Sequence, residues 1–107
     1  MRENEFQAKL KKEIAERFPG CIIMKMDASY IQGIPDLLIL YHDKWAALEC
    51  KKSASAKHRP SQDYRVKQMN DMSFASFIFP ENKEEVLNAM AQALQDTTRN
   101  TCSVFCE

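Results

Sequence analysis

The fold is decided by residues 33–52, which read GIPDLLILYHDKWAALECKK. Residues 37–41 form a continuous apolar run that is typical of a buried strand, and residues 45–51 form a second strand-like run. A short polar turn separates the two runs, so the sequence predicts a β-hairpin. Because side chains two apart in a strand share a face, the second strand is predicted to present Glu49 and Lys51 together.

Helical and strand-like patterns alternate on both sides of the hairpin. Residues 3–17 carry apolar side chains every four positions among charged ones, which is typical of an amphipathic helix. Ser61 is predicted to cap a second helix, and Pro80 with Glu81 to begin a third. The predicted elements, in chain order, are a helix at 3–17, strands at 21–26, 37–41 and 45–51, a helix from 61, a strand at 74–79 and a helix from 80. This order, α-β-β-β-α-β-α, predicts an α/β fold with a mixed central sheet flanked by helices.

The composition predicts one soluble domain. Of 107 residues, 45% are hydrophobic and 28% are charged, and no apolar stretch has the length of a membrane span. We expect residues 1–95 to form the domain and residues 96–107 to be a tail or a short edge strand. The amino-terminal segment is charged rather than apolar, so a cytoplasmic location is expected. The four cysteines are then expected to be free thiols; they are Cys21, Cys50, Cys102 and Cys106.

Two carboxylates of the hairpin are suited to metal chemistry. Asp36 begins the first strand and Glu49 lies near the end of the second. Hard divalent cations, which polarise phosphates and activate water, prefer such oxygen ligands, and the backbone carbonyl of Cys50 is a candidate third ligand. Lys51 could orient or deprotonate an attacking water. The simpler alternative is an ordinary Glu49–Lys51 salt bridge, and the strand register decides whether Asp36 joins Glu49.

The segments Pro35-Asp36 and Glu49-Cys50-Lys51 make the chain resemble the PD-(D/E)XK nuclease superfamily. Together with Gln62, the pattern looks most like the small stand-alone VRR-NUC and Holliday-junction-resolvase-like branch. The resemblance implies a restriction-endonuclease-like core and a Mg²⁺- or Mn²⁺-dependent endonuclease with no other cofactor. It further implies hydrolysis of phosphodiester bonds in branched or structured DNA by a homodimer. The small size would also suit a phage-encoded protein acting in the host cytoplasm.

The resemblance implies two more site residues. One is an acid on the first helix, for which Glu5 is the first choice and Glu13 the reserve; the alternative for Glu5 is an ion pair with Lys9. The other is Gln62, which precedes the apolar side chains of its helix by one turn and would lie near Lys51 and the phosphate. Its alternative is a role in capping that helix.

The chain has a net charge of zero and a pI of about 6.7, and these values by themselves do not indicate a nucleic-acid partner. One short segment is nevertheless strongly basic. Between the second hairpin strand and the Gln62 helix, four residues are predicted to bind phosphates: Lys52, Lys57, His58 and Arg59. The alternative is a solvated loop. Tyr30, in the loop before Gly33, is expected either to pack on the sheet or to stack on a base.

Two rival functions follow from the same residues. One is a catalytically silent, nuclease-like module that binds nucleic acid or a protein partner. The other is a sequence-specific homing or restriction-type endonuclease, which would need a longer base-reading element than the chain's loops provide.

Overall fold

The computed structural model describes residues 2–95, so the expectations for residues 96–107, Cys102 and Cys106 included, concern a segment outside the described residues. Three helices and four strands follow the predicted order. They are α1 (Glu3–Arg17), β1 (Ile22–Lys25), β2 (Leu37–Tyr41), β3 (Lys44–Cys50), α2 (Pro60–Met72), β4 (Phe74–Ile78) and α3 (Lys83–Gln95). The α/β class and the order of elements are confirmed.

The four strands form one mixed sheet in the order β1-β2-β3-β4. β1 pairs with β2, and β2 with β3, in antiparallel fashion, whereas β4 lies parallel to β3. The parallel pair requires a crossover, which α2 supplies. The hairpin turn has two residues between Tyr41 and Lys44, and His42 takes a positive φ of 57° there.

The alternation of side chains along the hairpin divides the core between the two faces of the sheet. On one face, Leu37, Leu48 and Cys50 pack in a large cluster with side chains of α1 and α3. On the other face, Ala47 packs with Val66 of α2. Cys50 is fully buried, and its thiol forms no disulfide. Glu49 and Lys51, which alternate with Leu48 and Cys50, therefore belong to the face that α2 covers.

Two helix starts differ from the predictions. The cap of α2 is Arg59 rather than Ser61, because Pro60 takes the first helical position and the side chain of Gln62 accepts a hydrogen bond from the Arg59 backbone N–H. The third helix begins at Lys83 rather than at Pro80, because Asn82 closes a turn with Phe79 first.

In the part of the chain that the structure describes, no helix has both the length and the apolar character needed to cross a membrane.

Gly33 joins the loop before β2 to the start of α2. Its φ is +81°, and a Cβ at this position would overlap the backbone carbonyl of Ser61. Gly33→Ala should therefore lower the free energy of unfolding by about 3 kcal/mol. The alanine would be strained in the left-handed conformation, and its Cβ would also clash with the Ser61 carbonyl, which the helix backbone holds in place. Gly20 is the matched control, since its φ is +89° but nothing lies within 4 Å of its virtual Cβ. Gly20→Ala should cost about 1 kcal/mol, and equal losses in urea unfolding would contradict the close contact.

Candidate functional site

Asp36 and Glu49 meet at one end of the hairpin. Leu37 pairs with Leu48 in the antiparallel register, so Asp36, one residue earlier, falls opposite Glu49, one residue later. Directly opposed residues project to the same face of a sheet, with Cβ atoms about 5 Å apart. The Asp36 carboxylate also accepts a hydrogen bond of 2.9 Å from the backbone N–H of Cys50. The structure thus brings the two carboxylates together, as a shared cation would require.

Gln62 connects this carboxylate pair to Lys51. Its Nε2 donates to Glu49 Oε2 at 2.9 Å, and its Oε1 accepts from Lys51 Nζ at 3.0 Å. The same Oε1 accepts from the Arg59 backbone N–H at 3.0 Å. Gln62 therefore fills both roles that the sequence left open, since one side chain caps α2 and holds the lysine. Lys51 Nζ lies 3.8 Å from Glu49 Oε2, so the ion pair is also present.

Glu49 is the most deeply buried ionisable residue of the network. It is 3% exposed, and its Oε1 accepts no hydrogen bond from any described residue. The Asp36 backbone N–H is nevertheless close enough to lower the pKa of Glu49 slightly. Burial, with the neighbouring charges of Asp36 and Glu3, raises the pKa of Glu49 to about 7, and Lys51 partly opposes the rise. A buried carboxylate with an unused oxygen is an arrangement that a bound cation would stabilise.

An open cleft of about 590 Å³ reaches the network at Asp36, and its volume is within the usual size of ligand sites. Asp36 is the member of the network that lines the cleft. The remaining lining residues come from the start of α1, the end of β1 and the segment after β3; they are Arg2, Glu3, Asn4, Gln7, Lys25 and Lys52. The cleft thus mixes carboxylates with cations at the edge of the sheet where β1 and β3 end.

The first helix offers Glu3 to the cleft, not Glu5. Glu5 accepts a hydrogen bond of 2.9 Å from the Arg2 backbone N–H and so caps α1, which places Glu5, the first choice for the first-helix acid, outside the lining of the cleft. The reserve candidate, Glu13, pairs with Lys83 at 2.9 Å, outside the cleft. Glu3 was missed, although its spacing of four from Gln7 places the two on one side of the helix.

Gln7 and Lys25 are further site residues that the sequence analysis missed. Gln7 is only 6% exposed, and its Oε1 accepts a hydrogen bond of 3.1 Å from Lys25 Nζ. A polar residue on the buried side of α1, next to Phe6 and three before Leu10, was the available signal for Gln7. Lys25 carries no such signal, since a lysine that ends a strand is ordinary.

The predicted phosphate-binding residues divide into two groups. Lys52, Lys57 and Arg59 are exposed, and Lys52 lines the cleft. His58 is engaged instead: its ring stacks on Phe77 with centroids 3.9 Å apart, and its Nδ1 lies 3.0 Å from Asp63 Oδ1. His58 therefore helps to hold the loop in place, whereas the other three side chains project from it.

The end of the hairpin offers a few oxygen donors and not a complete protein cage for a metal ion. Among residues 2–95, no group of three or more His, Cys, Asp or Glu side chains is arranged to hold a metal ion. Asp36, Glu49 and the carbonyl of Cys50 would supply two carboxylates and one carbonyl, which are donor types that hard divalent cations accept, with water completing the shell. Burial raises the pKa of the Cys50 thiol to about 12, which favours the protonated thiol at neutral pH in the metal-free protein.

Comparison with known proteins adds no relative to this description. No protein-family model matches the chain, and neither a curated protein nor a solved structure is similar enough to count as a match.

Proposed function

We propose that the chain is a divalent-cation-dependent deoxyribonuclease with a restriction-endonuclease-like core, acting on branched or structured DNA. The proposal is carried by one observation, the network of Asp36, Glu49, Lys51 and Gln62 at the end of the hairpin, in which a buried carboxylate oxygen lacks a partner. An ordinary surface salt bridge needs neither the burial nor the glutamine between its partners.

The chain's own groups divide the work of phosphodiester hydrolysis. Asp36, Glu49 and the Cys50 carbonyl would hold Mg²⁺ or Mn²⁺, which when bound polarises the phosphate and lowers the pKa of a coordinated water. Lys51 Nζ, held by Gln62, would orient the attacking water and balance the negative charge that develops on the phosphate.

Binding of the DNA backbone is assigned to the exposed cations of the segment between β3 and α2. Lys52, Lys57 and Arg59 would contact phosphates, which gives affinity that depends on salt and not on base sequence. The zero net charge of the whole chain makes this local cluster the main source of attraction.

The test is a cleavage assay on linear duplex, single-stranded, forked and four-way DNA in Mg²⁺, in Mn²⁺ and in EDTA. We expect cleavage of the forked or four-way substrates with either metal and none in EDTA. Cleavage in EDTA would overturn the mechanism. Binding of DNA without cleavage under every condition would favour a silent nucleic-acid-binding module, and cutting at one defined duplex sequence would favour a restriction-type enzyme.

A further inference from the structure

Tyr30 is held out in solvent by a folded loop. Its side chain is 87% exposed, which rules out the expected packing on the sheet. The loop around it is nonetheless hydrogen-bonded: the amides of Tyr30 and Ile31 donate to the Asp27 carbonyl, and the Asp27 carboxylate accepts from the Ser29 amide at 2.9 Å. Water can satisfy the hydroxyl of Tyr30, but the face of its ring has no packing partner, so an ordered turn presents that face for a contact in a complex.

The loop that carries Tyr30 connects two residues of the cleft wall. It leaves β1 directly after Lys25 and enters β2 directly after Asp36, and both of these residues line the cleft. Gly33 presses the same loop against Ser61, at the start of the helix that bears Gln62. Tyr30 therefore stands on a short segment whose two ends lie at the cleft and which Gly33 anchors to α2.

Lys25 supplies a cation at the β1 end of this segment. Its Nζ is positioned by Gln7 Oε1 at 3.1 Å, and this contact keeps the ammonium group at the cleft. A positioned ammonium and, five residues further along the chain, an exposed aromatic ring match the two parts of a nucleotide, because the cation suits the phosphate and the ring suits the face of the base. Bases inside a duplex are already stacked on each other, so such a ring can act only on an unpaired base.

We infer that the β1 side of the cleft binds an unpaired nucleotide next to the phosphate that is cut, with Lys25 on its phosphate and Tyr30 stacked on its base. This inference rests on the proposed nuclease function and defines its substrate more closely as DNA with a single-stranded segment at the cut. Stacking tolerates any base, so the site selects strand character rather than sequence.

The first test measures affinity without cleavage, by fluorescence anisotropy of labelled single-stranded and duplex oligonucleotides in EDTA. Tyr30→Ala should weaken single-strand binding about tenfold and leave duplex binding within about twofold, and Tyr30→Phe should retain the wild-type affinity. Tyr64→Ala is the matched control, because Tyr64 is 63% exposed but lies two residues from Gln62, roughly 200° around α2. No loss in Tyr30→Ala, or an equal loss on both DNAs or in Tyr64→Ala, would overturn the inference.

Lys25 and the stacking contact have separate readouts. Lys25→Met should reduce the slope of log affinity against log salt by about one, whereas Lys25→Arg should preserve it. An oligonucleotide with 5-bromodeoxyuridine at the unpaired position should cross-link under ultraviolet light to the peptide containing Tyr30, and cross-linking elsewhere alone would count against the subsite. If Tyr30→Ala binds single strands normally while the protein still cleaves DNA with metal, only this inference is refuted. If the protein prefers single strands but shows no metal-dependent cleavage, only the nuclease function is refuted.

Discussion

Glu49→Gln should lower the rate of metal-dependent cleavage by about 10³-fold, equivalent to about 4 kcal/mol of transition-state stabilisation. The substitution keeps the size of the side chain and an oxygen for the hydrogen bond from Gln62. It removes the negative charge that would hold the cation and leaves Asp36 as the only charged ligand of the pair. Single-turnover cleavage with Mg²⁺ measures the loss, and Glu16→Gln, which removes an exposed carboxylate of α1, should cleave normally.

The same variant should be more stable than the wild type at alkaline pH. The folded pKa of Glu49, about 7, is above its ordinary value of 4.5, so the folded state holds the proton more tightly than the unfolded state. Wild-type stability is then fully present below pH 4.5 and is lost as the pH rises to about 7, by up to about 3 kcal/mol. The glutamine is neutral at every pH and avoids this loss.

Urea unfolding in EDTA at pH 4 and pH 8 tests this second effect. The two proteins should differ little at pH 4, and Glu49→Gln should be the more stable at pH 8. Mg²⁺ should raise the melting temperature of the wild type and not that of the variant, because ligand binding stabilises only the form that binds. A variant that is less stable than the wild type at both pH values would show that the buried charge is compensated in the metal-free protein.

The sequence predicted the hairpin well because its signals are local. The apolar run before the turn and the two-residue alternation of Glu49 and Lys51 depend on neighbouring residues alone. The position of Asp36 opposite Glu49 depends on the register, which the length of the turn sets and which a shift of one residue would reverse. That contact could be proposed from the sequence but only the fold establishes it.

The first helix shows what helical spacing adds to the choice of a site residue. The resemblance led to Glu5, whereas helical spacing places Glu3 with Gln7 and Leu10 and leaves Glu5 roughly 200° from Glu3. The capping contact of Glu5 with Arg2 then explains its presence without any role in the cleft. Lys25 is different, because no local pattern marks it and only the pairing of β1 with β2 brings it to the cleft.

Lys51→Met should lower the rate of cleavage by at least about 10²-fold, because it removes the cation that would orient water and balance charge on the phosphate. Lys51 is 8% exposed, and methionine keeps most of its buried stem while leaving Gln62 Oε1 bonded to the Arg59 amide. The loss should fall on kcat, since the group acts in the reaction rather than in binding. Lys52→Met removes the same charge one residue later, and because Lys52 is an exposed residue of the cleft wall its effect should fall on KM and on salt dependence.

The stability of Lys51→Met reports how the lysine acts on Glu49, whereas its rate of cleavage reports whether the lysine takes part in the reaction. Lys51 lowers the pKa of Glu49, so its removal should raise that pKa further above 7 and extend the loss of stability to higher pH. Lys51→Met with Glu49→Gln should then recover stability at pH 8 but not cleavage, because the double variant no longer buries an unpartnered charge and still lacks both reacting groups. If the double variant cleaves as well as the wild type, neither residue takes part in the reaction; if Lys51→Met alone cleaves normally, the ammonium group serves only to neutralise Glu49.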